Sequence, residues 1–476
     1  MENSLKFNVV ILAAGQGKRM MSRLPKVLHC LAGVPMLLRV LNAAHSLQPS
    51  PEKIVVVVGH GSDAVKSALP EGTLTVVQDQ QKGTGHAVMQ ALPLLNDALA
   101  TLVLCGDVPC IQIADLHALL NKAHLNVAKL DVPNLNISNN HTATMVVLTA
   151  KPADPTGYGR MDIRLDGTVE RIIEHKDCTP EQRDKLLEVN TGVMLLPAGK
   201  TKQWLAQLQP NNAQSEYYLT DCVALANSEQ MTVHRVEAKE AWTTEGVNSR
   251  IQLALLERLH QRNIAEHLMH QGVSLTDPER IDVRGHLRCD SDVSIDIGCV
   301  FEGTVTIASG ANIGAYCVLK NCTIDQNVQI LPFTHIDGAC VGANSRIGPY
   351  ARLRPGTVLS NDCHIGNFVE LKNTQVASHS KANHLAYIGD AIVGSQVNIG
   401  AGVITCNYDG ANKHQTVIED RAFIGSDVQL IAPVKVGSGA TIAAGTTVTK
   451  DVPAEQLTVG RAKQINIANW QRPVKQ

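Results

Sequence analysis

The sequence predicts an α/β domain of Rossmann-like type, followed by a long helix and a parallel β-helix of hexapeptide repeats. Three observations predict it. The first third alternates short apolar runs with helical stripes. A single amphipathic stretch follows near residue 250. The last third then carries aliphatic residues every sixth position: Ile418, Ile424, Leu430, Val436, Ile442 and Val448, and earlier Val341, Ile347, Leu353, Leu359 and Ile365. At 44% hydrophobic residues a six-hit register arises by chance with probability roughly 0.007, so spacing alone is suggestive. Glycine directly after the beat, as at Ile347, Ile365, Ile424 and Val436, makes it specific, because a small residue beside an inward aliphatic lets a coil turn a corner.

A chain of 476 residues exceeds one core, and the expected division is 1–247 for the α/β domain, 248–272 for the helix and 273–476 for the β-helix. Phe7–Ala14 reads as a buried strand ending in Gly15-Gln-Gly17-Lys-Arg19-Met20. Met36, Val40 and Ala44 with Leu37, Leu41 and Leu47 form a helical stripe. Ile54–Val58 is a second strand, Gly83–Leu95 a helix, and Thr101–Leu104 a third strand ending in Cys105-Gly106-Asp107. Such alternation implies a parallel sheet with ligands beyond the carboxyl ends of its strands. Residues 126–142 are polar and Asn-rich and read as a surface excursion before a strand Thr144–Leu148. Ile251, Leu255, Leu259, Ile264 and Leu268 mark the helix Asn248–Gly272. The beat begins near Val293, and it is lost between Leu371 and Ile388, where a loop extruded from a coil is expected; 407–416 is expected to be another.

Net charge near −2 excludes a general nucleic-acid binder, and no apolar run approaches membrane-spanning length. Met1–Asn8 lacks the basic-then-apolar pattern of a signal peptide. Twelve cysteines without a Cys-x-x-Cys pair read as reduced thiols of a cytoplasmic protein, not a metal site.

Two constellations carry chemistry. In the first, the Gly15–Arg19 loop follows a strand and can cradle phosphates with backbone N–H groups, although it lacks the Gly-Lys-Ser/Thr ending of a Walker loop and the third glycine of a dinucleotide fingerprint. Arg19 and Lys26 can neutralise a triphosphate, and Asp107 can hold magnesium through oxygen. In the second, His384 lies where the beat is lost, among Arg354, Lys372, Tyr387 and Asn398, and an imidazole that titrates near neutrality suits a general base. Arg354 and Lys372 suit a phosphate.

The motifs LAAGxGxRM, Pro25-Lys26, Gln78 with Gly83-Thr84-Gly85-His86-Ala87, Gly106-Asp107, Pro155-Thr-Gly157-Tyr-Gly159-Arg160, Ile173-Glu174-His175-Lys176, Asn190-Thr191-Gly192 and Glu245-Gly-Val-Asn248 resemble the sugar-nucleotide pyrophosphorylases. With the hexapeptide β-helix behind them, the chain resembles the bacterial bifunctional N-acetylglucosamine-1-phosphate uridylyltransferases/glucosamine-1-phosphate acetyltransferases, from about Val9 to the Trp470–Pro473 tail. That resemblance implies a nucleotidyltransferase domain and a left-handed β-helix. It implies that Leu12, Ala13, Ala14, Gly15, Gln78, Gly83 and Thr84 hold the uridine nucleotide, with Cys105 and Gly106 beside it. Arg19 and Lys26 take the UTP phosphates, Asp107 and Asn248 ligate Mg2+, and Gly159, Glu174 and Asn190 contact the sugar. His384 is the base; Arg354, Lys372, Tyr387 and Asn398 bind glucosamine 1-phosphate; Ala401, Asn407, Tyr408, Ser426, Ala444 and Arg461 lie along acetyl-CoA. A cytoplasmic homotrimer making UDP-N-acetylglucosamine for cell-wall and outer-membrane polymers is the implied whole.

Four positions depart from the pattern: Lys18 and Cys105 in the first half, Asn383 and Ala386 in the second. Asn383 stands where glycine is usual, which is expected to shift the segment carrying His384. The alternatives are a pyrophosphorylase with a merely regulatory or oligomerising β-helix, which predicts no base or coenzyme residues there, and a non-catalytic scaffold, which predicts loss of the phosphate and metal residues.

Overall fold

The computed structural model describes residues 6–128, 144–473 and 475, and divides into two compact units, Met1–His260 and Gln261–Gln476. The Asn-rich stretch expected over 126–142 lies outside the described residues, except that the helix Ile113–Ala128 runs into its start. No described helix is long and apolar enough to cross a membrane.

In the first unit the sheet order is Val233–Glu237, Met145–Ala150, Val189–Leu196, Ala100–Cys105, Phe7–Ala13, Lys53–Val58, Leu74–Val77. The last four strands run parallel, and their β-branched, near-continuous apolar sequences suit burial on both faces. The sheet is nevertheless mixed: Val189–Leu196 runs antiparallel to both neighbours. Leu37, Val40, Leu41 and Ala44 of the helix Met36–His45 are buried against one face, as their spacing predicts, while Met36 is buried in a separate cluster. Because Phe7–Ala13 is central and pairs Leu12 with Cys105, the Gly15 and Gly106 loops leave the sheet side by side.

The helix Arg250–His270 is long, as expected, but does not bury one continuous stripe. Leu253 and Leu256 pack in the first unit with Met20, Leu31 and Met36, whereas Ile264, Ala265 and Leu268 pack in the second. Ile251, Leu255 and Leu259 are exposed, because a periodicity read through two cores averages two different contact faces.

The second unit is a parallel β-helix of strands two to four residues long over most of its length, each N–H bonding to the next coil (Asn398 N–H to Ala422 O, 3.0 Å). Successive rungs lie 17 or 18 residues apart over most of the length, as in Val318↔His335 and Arg352↔Glu370, and 25 apart across the 407–415 loop, as in Asn398↔Phe423. The beat residues from Val341 to Ile365 and from Ile418 to Val448 are all buried. Coils begin earlier than Val293, at Ser274–Leu275; the nine-residue strands Ile281–Cys289 and Cys299–Ile307 hide the period there. No loop is extruded between Leu371 and Ile388. The beat continues through buried Val376 and Ala382, disguised by one five-residue step and by the smallness of alanine. The second expected excursion is present: strands Ile404–Cys406 and Thr416–Ile418 flank a loop from Asn407 to Gln415.

One corner recurs along the β-helix. Tyr316, Phe333, Tyr350 and Phe368 occupy it on successive coils with positive φ, and their rings stack at 5.4, 4.9 and 5.3 Å between centroids. Leu385 holds the next position with φ 50°. All five side chains are exposed.

Candidate functional site

In the first unit, a cleft of about 260 Å³ opens at the carboxyl ends of the parallel strands. Leu12, Ala13, Ala14 and Gly15 form one wall, and Gln78, Gly83 and Thr84 another. Lys26, Cys105 and Asp107 close it. Gln78 is buried and its amide donates to Gly83 O (3.1 Å), so it shapes the turn that starts the helix Thr84–Ala91. Gly106 donates to Leu12 O (2.9 Å), tying the two loops together.

A second hollow of about 230 Å³ is lined by Arg19, Tyr158, Gly246 and Asn248, and by the same Cys105 and Asp107. Asp107 is therefore common to both. The structure separates the two expected phosphate cations: Lys26 faces the first hollow, Arg19 the second. Gly159, Glu174 and Asn190 form a set of their own. Asn190 donates to Gly159 O (2.8 Å), and a methyl on Gly159 would come 3.4 Å from both Glu174 oxygens. Their chain neighbours Tyr158 and Thr191 line the second hollow. Burial raises the Glu174 carboxyl pKa against a hydrogen bond from Thr220 (3.0 Å). Tyr158, which no local sequence signal singles out, accepts from Gly246 N–H through its hydroxyl at 3.4 Å. Buried Arg160 braces its turn by donating to Tyr158 O (2.7 Å).

Asp107 and Asn248 converge. Val247 N–H donates to Asp107 O (2.9 Å), and the Lys26 ammonium bridges the Asp107 carboxylate and Asn248 Oδ1, the latter at 3.1 Å. These two hard oxygens already coordinate a positive charge, so the donor set suits a divalent cation completed by water and phosphate oxygens. Among the described residues no group of three or more His, Cys, Asp or Glu could hold a metal ion. Burial pushes the Cys105 thiol up to about 12, which disfavours the thiolate.

In the second unit, His384 ends the strand Lys381–His384 at the recurring corner and pairs in register with Asn367 on the preceding coil. Its Nδ1 lies 2.8 Å from Asn367 Oδ1. An amide oxygen only accepts, so Nδ1 carries the proton and, in the neutral imidazole, Nε2 keeps its lone pair. Asn367 is a functional candidate the sequence reading passed over, although counting one coil back from His384 finds it. Asn383 does not displace this strand. Gly366 lies opposite, where a methyl would fall 2.0 Å from Asn383 O, and the pairing of Ile365 with Ala382 is intact.

Arg354, Lys372 and Gly389 occupy one column on three coils; Arg354 is paired with Glu370 at 2.8 Å. Gly389 leaves room for the Tyr387 hydroxyl and Asn407 amide, which would lie 2.5 and 2.9 Å from a methyl there. Asn407 is held by Asp390, which also accepts from Asn373 (2.7 Å). Asn398 is not brought to this group: it lies on the other side of the corner, in the column Lys381, Asn398, Phe423. Ala401, Ser426 and Ala444 do stack at the corner, linked by Asp427 N–H to Ala401 O (2.7 Å) and Gly445 N–H to Ser426 O (2.9 Å). Arg461 donates to Ala444 O (3.0 Å). Tyr408 stands exposed on the 407–415 loop beneath the Lys413 ammonium (5.0 Å).

Comparison with known proteins shows what the chain is similar to. Residues 9–153 match the MobA-like NTP transferase domain, 283–367 the GMPPB C-terminal domain, and 415–450 the bacterial transferase hexapeptide (six repeats). A Bifunctional protein GlmU of Cupriavidus pinatubonensis is 56% identical over 98% of this chain and 99% of its own length. Those of Ralstonia nicotianae and Herminiimonas arsenicoxydans are 56% and 54% identical with the same coverage.

Proposed function

The chain belongs to the bifunctional GlmU family and is a transferase with uridylyltransferase and acetyltransferase activities; from that premise we propose that the residues gathered at its two sites carry them as follows. The alternatives of a regulatory β-helix and of a scaffold lose their ground, since the match to relatives named bifunctional runs through both units.

In the first unit, UTP occupies the cleft of Leu12–Gly15, Gln78, Gly83 and Thr84, with Lys26 on its phosphates. N-acetylglucosamine 1-phosphate occupies the second hollow with Arg19 on its phosphate, and its sugar reaches toward Gly159, Glu174 and Asn190, whose chain neighbours Tyr158 and Thr191 line that hollow. Mg2+, the divalent ion we assign to Asp107 and Asn248, supplies neutralisation of phosphate charge. An oxygen of the sugar phosphate attacks the α-phosphorus in line, and pyrophosphate leaves. No protein nucleophile is needed, because placement and charge stabilisation suffice. The observation that carries this reading is that Asp107 is shared by the two hollows, one for each reactant.

In the second unit, His384 Nε2 takes the proton from the glucosamine amine as nitrogen attacks the thioester of acetyl-CoA, and coenzyme A thiolate departs. Asn367 holds the tautomer that leaves Nε2 free. Arg354, Lys372, Tyr387 and Asn398 bind glucosamine 1-phosphate, and Ala401, Asn407, Tyr408, Ser426, Ala444 and Arg461 line the coenzyme path. A homotrimer accounts for two features: the exposed ring ladder, and an Asn398 that no single copy brings to its partners. Twelve free cysteines and substrates of central metabolism support a cytoplasmic enzyme.

The test omits glucosamine 1-phosphate, acetyl-CoA, UTP and magnesium in turn from one reaction. UDP-N-acetylglucosamine requires all four, and N-acetylglucosamine 1-phosphate must accumulate without UTP or without metal. Failure of coenzyme A release to depend on glucosamine 1-phosphate refutes the acetyl half.

A further inference from the structure

Arg39 lies on the helix Met36–His45 and lines neither hollow, yet it touches the loop that carries Asp107 and, twelve residues beyond Asn248, the helix that follows it. Its Nε donates to Pro109 O at 3.0 Å, two residues beyond Asp107 on the same loop. Its Nη2 lies 3.1 Å from His260 Nε2 on the helix Arg250–His270, whose first residue is two beyond Asn248. A guanidinium only donates, so His260 Nε2 must accept and the imidazole is neutral with its proton on Nδ1. Burial and the Arg39 charge agree, lowering the His260 pKa to about 4. The same helix is anchored once more by Glu257, whose carboxylate accepts from Ala32 N–H at 2.7 Å.

These contacts close a ring. The Asp107 loop and the Asn248 segment meet directly at Val247 N–H to Asp107 O (2.9 Å). Their continuations meet again through Arg39, which holds Pro109 with one nitrogen and His260 with another. A hydrogen-bonded junction at one end alone leaves a hinge, whereas a second tie fixes the angle between the two elements. For a metal held by only two protein oxygens, that angle sets whether both can reach one ion.

We propose that Arg39 is a positioning residue for the metal pair, setting the separation of Asp107 and Asn248 through its fork between Pro109 and His260. The proposal builds on the assignment of the divalent ion to Asp107 and Asn248, and the test separates the two. The full-length protein is titrated with UTP, with and without manganese, by calorimetry; the gain in UTP affinity caused by the metal is the readout. Asp107→Asn abolishes that gain, and if it does not, the metal assignment itself is wrong. Arg39→Met reduces the gain by roughly 10-fold, the scale on which groups behind metal ligands act. Arg39→Lys stays defective, because a lysine keeps the charge but cannot span both acceptors. His260→Leu is also defective, while His260→Gln, whose amide oxygen can accept, restores the gain. Uridylyl transfer by Arg39→Met recovers at high metal concentration, and acetyl transfer is unchanged throughout. A full metal-dependent gain in Arg39→Met, with Asp107→Asn defective, overturns the proposal; if Arg39→Met melts early, a full gain in folded His260→Leu overturns it equally.

Discussion

Asn367 offers the sharpest test of the acetyl-transfer chemistry. Its Oδ1 sits 2.8 Å from His384 Nδ1, on the rung immediately before. Before proton transfer this is a neutral hydrogen bond worth roughly 0.5–1.5 kcal/mol; once Nε2 has taken a proton, the same oxygen faces an imidazolium, and the bond is worth roughly 1.5–3 kcal/mol. The difference, about 1–1.5 kcal/mol, is available only as charge develops, so it belongs to kcat and not to substrate binding. His384 is exposed, and water screens part of the gain, which places the expected loss near the lower end, about 5-fold. Asn367→Ala should therefore lower kcat for coenzyme A release about 5-fold with KM for acetyl-CoA unchanged. Asn367→Asp makes a second, opposite demand. A carboxylate at Oδ1 favours the imidazolium, so the acid limb of the rate profile must move to higher pH. Thiol release followed across pH for all three proteins, with thermal melts to confirm folding, decides the matter. An unaltered kcat in Asn367→Ala together with superimposable pH profiles refutes the tautomer argument.

Asp107→Ala should reduce uridylyl transfer, read as pyrophosphate release, by at least roughly 100-fold while coenzyme A release persists, since its carboxylate faces both hollows. Gly366→Ala should lower the melting temperature, because the new methyl would lie 2.0 Å from Asn383 O, and overpacking of this kind costs about 1–3 kcal/mol; acetyl transfer should fall with it, because Asn367 is the next residue. Glu174→Gln tests a stability cost of the sugar site. Burial raises the Glu174 pKa in the folded state, so its stabilising contribution is full below the ordinary carboxylate value and is lost as pH rises through the raised one. At neutral pH the amide should raise the melting temperature and weaken sugar-phosphate binding, and the stability gain should shrink as pH falls toward ordinary carboxylate values; a gain independent of pH contradicts the desolvation account.

The parts of this molecule legible in the sequence are those fixed by a short repeat. Ile418 to Val448 state their own spacing, and the loop from Asn407 to Gln415 shows because polar residues fill a place where the beat is absent. The stretch from Leu371 to Ile388 misleads for a physical reason. A coil can close with five residues on one side, and the space that Ala382 leaves needs no larger side chain, so the beat vanishes from the sequence while the core stays continuous. His384 therefore stands at the end of a strand and not on a loop. In the first unit, strand ends mark Gly15 and Asp107, but the sheet order that sets them side by side does not appear in any local pattern. For the same reason nothing in the sequence separates Arg19 from Lys26, which face different hollows.

The recurring corner explains why His384 lies where it does. A side chain held at positive φ costs roughly 1–2 kcal/mol, a cost glycine avoids. Tyr316, Phe333, Tyr350, Phe368 and Leu385 all accept it, and three ring contacts at about 0.5–1.5 kcal/mol each do not offset five such costs in an isolated chain. Bulky residues on this corner are thus explained better by what they adjoin than by the stability of their own coils. Beyond Leu385 the corner position passes to Gly402, Asp427 and Gly445, flanked by Ala401, Ser426 and Ala444, so no aromatic or large aliphatic side chain stands on it. The change falls at His384, one residue before the last bulky position. In the mechanism we propose, a long thioester lying along the emptied length would meet the filled length at its reactive end, beside Nε2. Enlarging the corner tests this directly. Ala444→Phe, well away from His384, should raise KM for acetyl-CoA at least roughly 10-fold with little change in KM for glucosamine 1-phosphate, because it blocks the path and not the base. An unchanged KM for the coenzyme would show that the ligand does not follow this corner.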